Sequence, residues 1–95
     1  MSRVVRLSPH ARSDIRRLVG FLSERDLRSA QRLLNTFAEA LGSLETLSER
    51  GPLAGPADDL RELRVGFGRY GYILQYRVRP DEVFVARIFH VREAR

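Results

Sequence analysis

The chain has 95 residues, enough for one compact domain and too few for two. It contains no cysteine, which excludes disulfides, thiolate nucleophiles and thiolate metal sites. Its 17 basic residues are all arginine and outweigh 12 acids for a net charge of +5, so an anionic partner fits and a lysine-based active site is excluded.

Arg3–Leu7 reads as a short strand, apolar at Val4, Val5 and Leu7. Ser8-Pro9 marks a helix start: serine caps the first exposed amides, and proline suits a first position whose N–H has no partner. Ile15, Leu18, Val19 and Leu22 recur at i, i+3, i+4 and i+7, which predicts a helix to about Glu24. Arg12, Arg16 and Arg17 fall off that stripe and read as a solvated face. A tight turn is placed near Arg25-Asp26. From Leu27 to Leu47 a second helix is predicted, with Ala30, Leu33, Leu34, Phe37, Ala38, Leu41 and Leu44 on one face. Two amphipathic helices joined this closely imply an antiparallel hairpin.

The cluster Gly51-Pro52-Leu53-Ala54-Gly55-Pro56 makes Glu49–Asp59 a loop. Beyond it Leu63, Val65 and Phe67 alternate with Arg64 and Gly66, as in a half-buried strand. Gly68-Arg69 with Tyr70-Gly71 reads as a turn. Tyr72, Leu74, Tyr76 and Val78 then alternate with Ile73, Gln75 and Arg77, with the tyrosines expected in the core. Arg79-Pro80-Asp81-Glu82 is a hairpin turn. Val83–Val91 is apolar on both phases, as expected of a central strand covered on both sides. The order β-α-α-β-β-β predicts an α+β domain, a helical hairpin packed on one face of a largely antiparallel sheet, with the first strand paired to the last.

Residues 60–95 hold 8 arginines and 4 acids, residues 1–59 hold 9 and 8, so the C-terminal third is the better anionic-partner surface. No stretch approaches the ~20 apolar residues of a membrane span. Met1–His10 carries Arg3 and Arg6 and lacks the apolar run of a signal peptide. The expectation is one domain over residues 1–95, cytoplasmic and independent of membranes. Two distant histidines, His10 and His90, make no metal site, and no cofactor motif is present.

Leu7-Ser8-Pro9-His10-Ala11 with Asp14 and Ile15 resembles the strand-to-helix start of ParE/RelE-family toxins. Arg61-Glu62-Leu63-Arg64-Val65, Tyr72-Ile73-Leu74-Gln75-Tyr76-Arg77-Val78 and Val85-Ala86-Arg87-Ile88-Phe89-His90 before Arg92-Glu93 resemble the family's sheet. The resemblance runs from about Val4 to Arg92. It implies a type II toxin–antitoxin pair, associated with plasmid stabilisation. The antitoxin would be a separate protein whose C-terminal segment packs beside the helical hairpin and sheet. RelE-like members cleave mRNA on the ribosome; ParE-like members poison DNA gyrase and lack the nuclease residues.

RNA cleavage through the 2′-hydroxyl needs a base, an acid and cations on the phosphate. Where nuclease members tend to carry arginine, three residues before Tyr76, this chain has Ile73; where some follow a catalytic histidine with tyrosine, Val91 follows His90. The chain is therefore expected to be ParE-like and to inhibit gyrase by binding. The alternative is a ribosome-dependent endonuclease built on His90, Arg77 and Arg87. Against that, His90 reads more simply as a residue bonding locally at a strand end. Glu62 reads as a rim carboxylate paired with Arg61 or Arg64. Arg64, Arg77, Arg87, Tyr72 and Arg92 are the expected contacts to target or antitoxin.

Overall fold

A computed structural model describes residues 2–55 and 58–93. Six elements follow one another: β1 (Val4–Leu7), α1 (Pro9–Ser23), α2 (Leu27–Ser43), β2 (Arg61–Phe67), β3 (Tyr70–Val78) and β4 (Glu82–His90). The sheet order is β1-β4-β3-β2. β1 runs parallel to β4, and the other two pairings are antiparallel. This is the expected β-α-α-β-β-β arrangement, with the first strand beside the last. Among the described residues no helix is long and apolar enough to cross a membrane.

Both helix starts are held as their sequences require. Ser8 Oγ accepts the Ala11 N–H at 2.9 Å with Pro9 opening α1, and Asp26 caps α2 through the Arg28 N–H and the Ser29 hydroxyl. α2 ends at Ser43, four residues short of the expected Leu47. Gly42 weakens the helix there, and the chain tightens through i→i+3 bonds from Leu44 N–H to Leu41 O and from Glu45 N–H to Gly42 O. The inward stripe of α2 is also narrower than expected. Ala30, Leu33, Phe37, Ala40 and Leu44 are buried, but Leu34 is 47% exposed and Ala38 faces solvent. One sheet covers only one side of this helix.

Tyr70 and Gly71 belong to β3 rather than to the turn, which is Gly68-Arg69 alone. Gly68 takes φ 62°, the left-handed conformation that a two-residue hairpin loop needs at its first position. β4 begins and ends one residue earlier than expected. Its apolar content on both phases has a second cause besides its central place. A bulge leaves Ala86 unpaired, because Gln75 faces Arg87 while Tyr76 faces Val85. The alternation therefore changes phase, and Val83, Val85 and Ile88 all reach the core.

That core lies between helices and sheet, where Leu33, Phe37, Leu44, Leu74 and Tyr76 meet Val83, Val85 and Ile88. Tyr76 is fully buried, and its hydroxyl accepts the buried Gly51 N–H at 2.9 Å. Gly51 must be glycine here, since a Cβ would come within 2.7 Å of that oxygen and 3.0 Å of the Glu62 carbonyl. Tyr76→Phe strands the Gly51 amide and is expected to cost about 1–3 kcal/mol in a urea unfolding curve. A change within measurement error would mean that water replaces the phenol.

Candidate functional site

The bulge in β4 is caught by α1. Ser8 donates its hydroxyl to Ala86 O at 2.7 Å, and its N–H bonds Val85 O. Less than two helical turns later Asp14, only 5% exposed, accepts the Ile88 N–H at 2.9 Å and Arg87 Nε and Nη2 at 2.9 and 3.2 Å. A buried carboxylate is tolerated only when its oxygens are satisfied, and Arg17 Nη2 adds a further bond at 3.2 Å. Burial pushes the Asp14 carboxyl upward, but the bonds from Arg87, the Ile88 amide and Arg17 outweigh it and hold the carboxyl below its ordinary 3.8.

The chain of charges continues to the end of β4. Arg17 Nη1 pairs with Glu93 Oε2, and Glu93 Oε1 accepts the His90 N–H at 2.7 Å. Arg87, Asp14, Arg17 and Glu93 thus tie the last strand and the residues after it to α1. Beside this tie lies a cleft of ≈ 510 Å³, walled by Leu18, Phe21 and Leu22 of α1. Tyr72 and His90 line its sheet side, with Arg17, Arg92 and Glu93 at the rim. The Tyr72 ring meets Phe37 and His90 edge-on, both at 5.2 Å between centroids. Burial, then the Glu93 charge, push the Tyr72 phenol above its ordinary 10.0, so it stays a neutral hydroxyl.

Four residues expected from the sequence, Tyr72, Arg87, His90 and Arg92, therefore gather at or beside one cleft. His90 is engaged locally, its Nδ1 accepting the Arg92 N–H at 3.1 Å. Arg87 is committed to Asp14. Arg77 lies elsewhere, bonded to Asp59 at 2.8 Å and Asp58 at 3.3 Å. It alternates with Tyr76 on β3 and so faces away from the helices, whereas His90 pairs with Tyr72 on the helix side. Five residues of strand separate those positions, roughly 17 Å. Arg64, opposite Ile73 on the helix-free face, is exposed and has no ion-pair partner among the described residues. Glu62 accepts from Gln75 Nε2 at 2.7 Å.

Arg17 also departs from expectation, since it joins the network rather than a solvated face. Sequence reading missed the parts played by Asp14, Glu93 and Phe21. Asp14 carried a usable signal: it falls on the buried stripe Ala11-Asp14-Leu18, and a carboxylate on an inward face demands partners from another element. Glu93 carried none.

Residues 5–95 match the family described as ParE toxin of type II toxin-antitoxin system, parDE. The chain is 40% identical to Toxin RelE3 of Caulobacter vibrioides over 92 residues, 96% of this chain and 97% of that one. It is 39% identical to Toxin RelE1 of the same organism over the full length of both. A solved structure titled as the chromosomal ParDE TA system from P. aeruginosa superposes with a TM-score of 0.78 at 16% identity, covering 95% of this chain and 97% of that one.

Proposed function

This chain belongs to the ParE toxin family of type II toxin–antitoxin systems, and from that premise we propose that it inhibits DNA gyrase by binding, without chemistry of its own, and is neutralised by a cognate antitoxin. The dispersal of Arg77, Arg87 and His90 carries this reading. General acid–base cleavage needs its groups converging within hydrogen-bond reach of one phosphodiester. Here Arg77 is roughly 17 Å from His90 along the sheet and on its other face, and Arg87 is held by a buried carboxylate. Ile73 stands where nuclease members tend to carry a phosphate-gripping arginine, and the chain has no lysine.

The apolar cleft rimmed by Arg17 and Arg92 is the antitoxin's seat in this reading. Apolar side chains of an antitoxin segment enter between α1 and Tyr72, and flanking carboxylates meet the two guanidinium groups.

Purified toxin added in parallel to a gyrase supercoiling assay and to translating ribosomes tests the target. Supercoiling is expected to fall while mRNA stays intact; cleaved mRNA with unaffected gyrase would overturn the proposal in favour of a RelE-like endonuclease. His90→Ala adds a second check. It is expected to weaken toxin action by less than about tenfold, the weight of a single binding contact. Losing a general base would remove about 10²–10⁴.

A further inference from the structure

The guanidinium–ring contacts among the described residues all fall at one end of the molecule. Arg25 lies over Phe21 at 3.8 Å, Arg32 over Phe67 at 5.0 Å and Arg92 over Tyr70 at 4.9 Å. α1 ends there, α2 begins there, the β2–β3 turn closes there and β4 runs out there. The rings adjoin one another: Phe67 meets Tyr72 at 6.0 Å, and Tyr70 meets His90 at 5.8 Å. Phe21 and Tyr70 remain 56% and 48% exposed.

The charge of this end is not neutralised. Arg6, Arg17, Arg77, Arg79 and Arg87 each pair with a carboxylate. Arg28, Arg69 and Arg92 have no carboxylate partner among the described residues, and Arg32, which bonds the Ser29 hydroxyl of the α2 cap, has only the longer-range attraction of Asp26. The acids nearby are spent: Glu24 on Arg25, Asp26 on the α2 cap and Glu93 on Arg17. Unpaired arginines interleaved with exposed aromatic faces suit phosphodiesters alternating with unstacked bases. A purely acidic peptide without apolar side chains would satisfy the cations and leave the rings unused, and a duplex would keep its bases stacked away from them.

We propose that this end binds single-stranded DNA, with Arg28, Arg32, Arg69 and Arg92 on phosphates and Tyr70 and Phe21 stacking on bases. The choice of DNA over RNA rests on the gyrase reading, because that enzyme acts on DNA; the choice of a single strand rests on the exposed Phe21 and Tyr70 rings, for which a duplex has no free bases. The site adjoins His90 and shares Phe21 and Arg92 with the proposed antitoxin seat, so the antitoxin would compete for it, and it involves no bond cleavage.

Fluorescence anisotropy of the full chain with a short labelled oligothymidylate, in the absence of gyrase, tests it. Matched oligouridylate, a duplex and polyglutamate serve as competitors. Oligothymidylate is expected to bind best, with affinity falling with salt at a log–log slope of about −0.7 per phosphate held. Arg69→Ala and Arg28→Ala should each make that slope shallower by about 0.7. Tyr70→Ala should weaken binding by about fivefold to a hundredfold, the weight of one stacked base, while Tyr70→Phe retains it. Arg6→Ala, on a distant strand, should change nothing. Preference for polyglutamate, duplex or RNA would overturn the proposal, as would indifference to Arg69→Ala and Tyr70→Ala. A chain that binds oligothymidylate yet leaves supercoiling untouched removes gyrase as the target and keeps this site.

Discussion

Asp14→Ala is expected to lower the unfolding free energy by about 3 kcal/mol, measured by urea denaturation. The substitution deletes the acceptor of the Ile88 amide, a buried donor on the part of β4 that lies beyond the end of β1, whose register stops at Leu7 opposite Val85. It also leaves Arg87 and Arg17 without their shared carboxylate. Those two side chains are 45% and 46% exposed, so water takes over part of their solvation and the loss stays below that of a wholly buried pair. Asp14→Asn keeps one acceptor oxygen for the amide and is expected to lose less. An Asp14→Ala variant as stable as the parent would mean that the bulge does not depend on α1.

The same residue gives stability a pH dependence of definite sign. Its carboxyl lies below its ordinary 3.8 in the folded chain, so the unfolded chain binds the proton more tightly. The stabilisation is therefore complete above the ordinary aspartate range and is lost as pH falls through the lower folded value. Asp14→Asn should flatten the acid limb of the stability profile and leave its neutral part parallel to the parent's.

Phe37→Ala is expected to cost about 3–5 kcal/mol, through lost burial and the cavity left behind. A domain of this size has about 5–15 kcal/mol in all, so the melting temperature should drop by more than about 12 °C. Phe37 is 2% exposed at the centre of α2 and holds the Tyr72 ring edge-on. Tyr72 in turn backs His90 and lines the cleft, so loss of the phenyl ring loosens the proposed antitoxin seat together with the core. Leu34→Ala, one turn earlier on the exposed side, should cost far less. Equal losses at the two positions would refute the narrow inward stripe of α2.

Much of the fold was legible because its determinants are local. The Ser8-Pro9 cap, the i, i+3, i+4, i+7 spacing in α1 and the two-residue alternation along β2 and β3 act within a few residues, and each produced its element within a residue or two. Boundaries failed where a tertiary contact or a weak local preference decided them, as at Ser43 and at Tyr70-Gly71. The bulge at Ala86 was hidden because an apolar run looks the same whether it is covered on both faces or changes phase halfway.

The site was legible in part. Tyr72 near the start of β3 meets His90 at the end of β4 because the two strands are antiparallel, and Arg87 and Arg92 lie within three residues of His90 in the chain. What the side chains do there was decided elsewhere. Arg87 meets Asp14 across 73 residues of chain, Arg17 meets Glu93 across 76, and Arg77 meets Asp59 across 18. Composition, caps and periodicity by themselves determined the α+β class, the element order and the surplus of arginine. Which arginines are neutralised and which stay open to a partner was settled by tertiary structure alone. Ion pairing depends on distances of a few ångströms between residues far apart in the chain, and no local pattern carries that information.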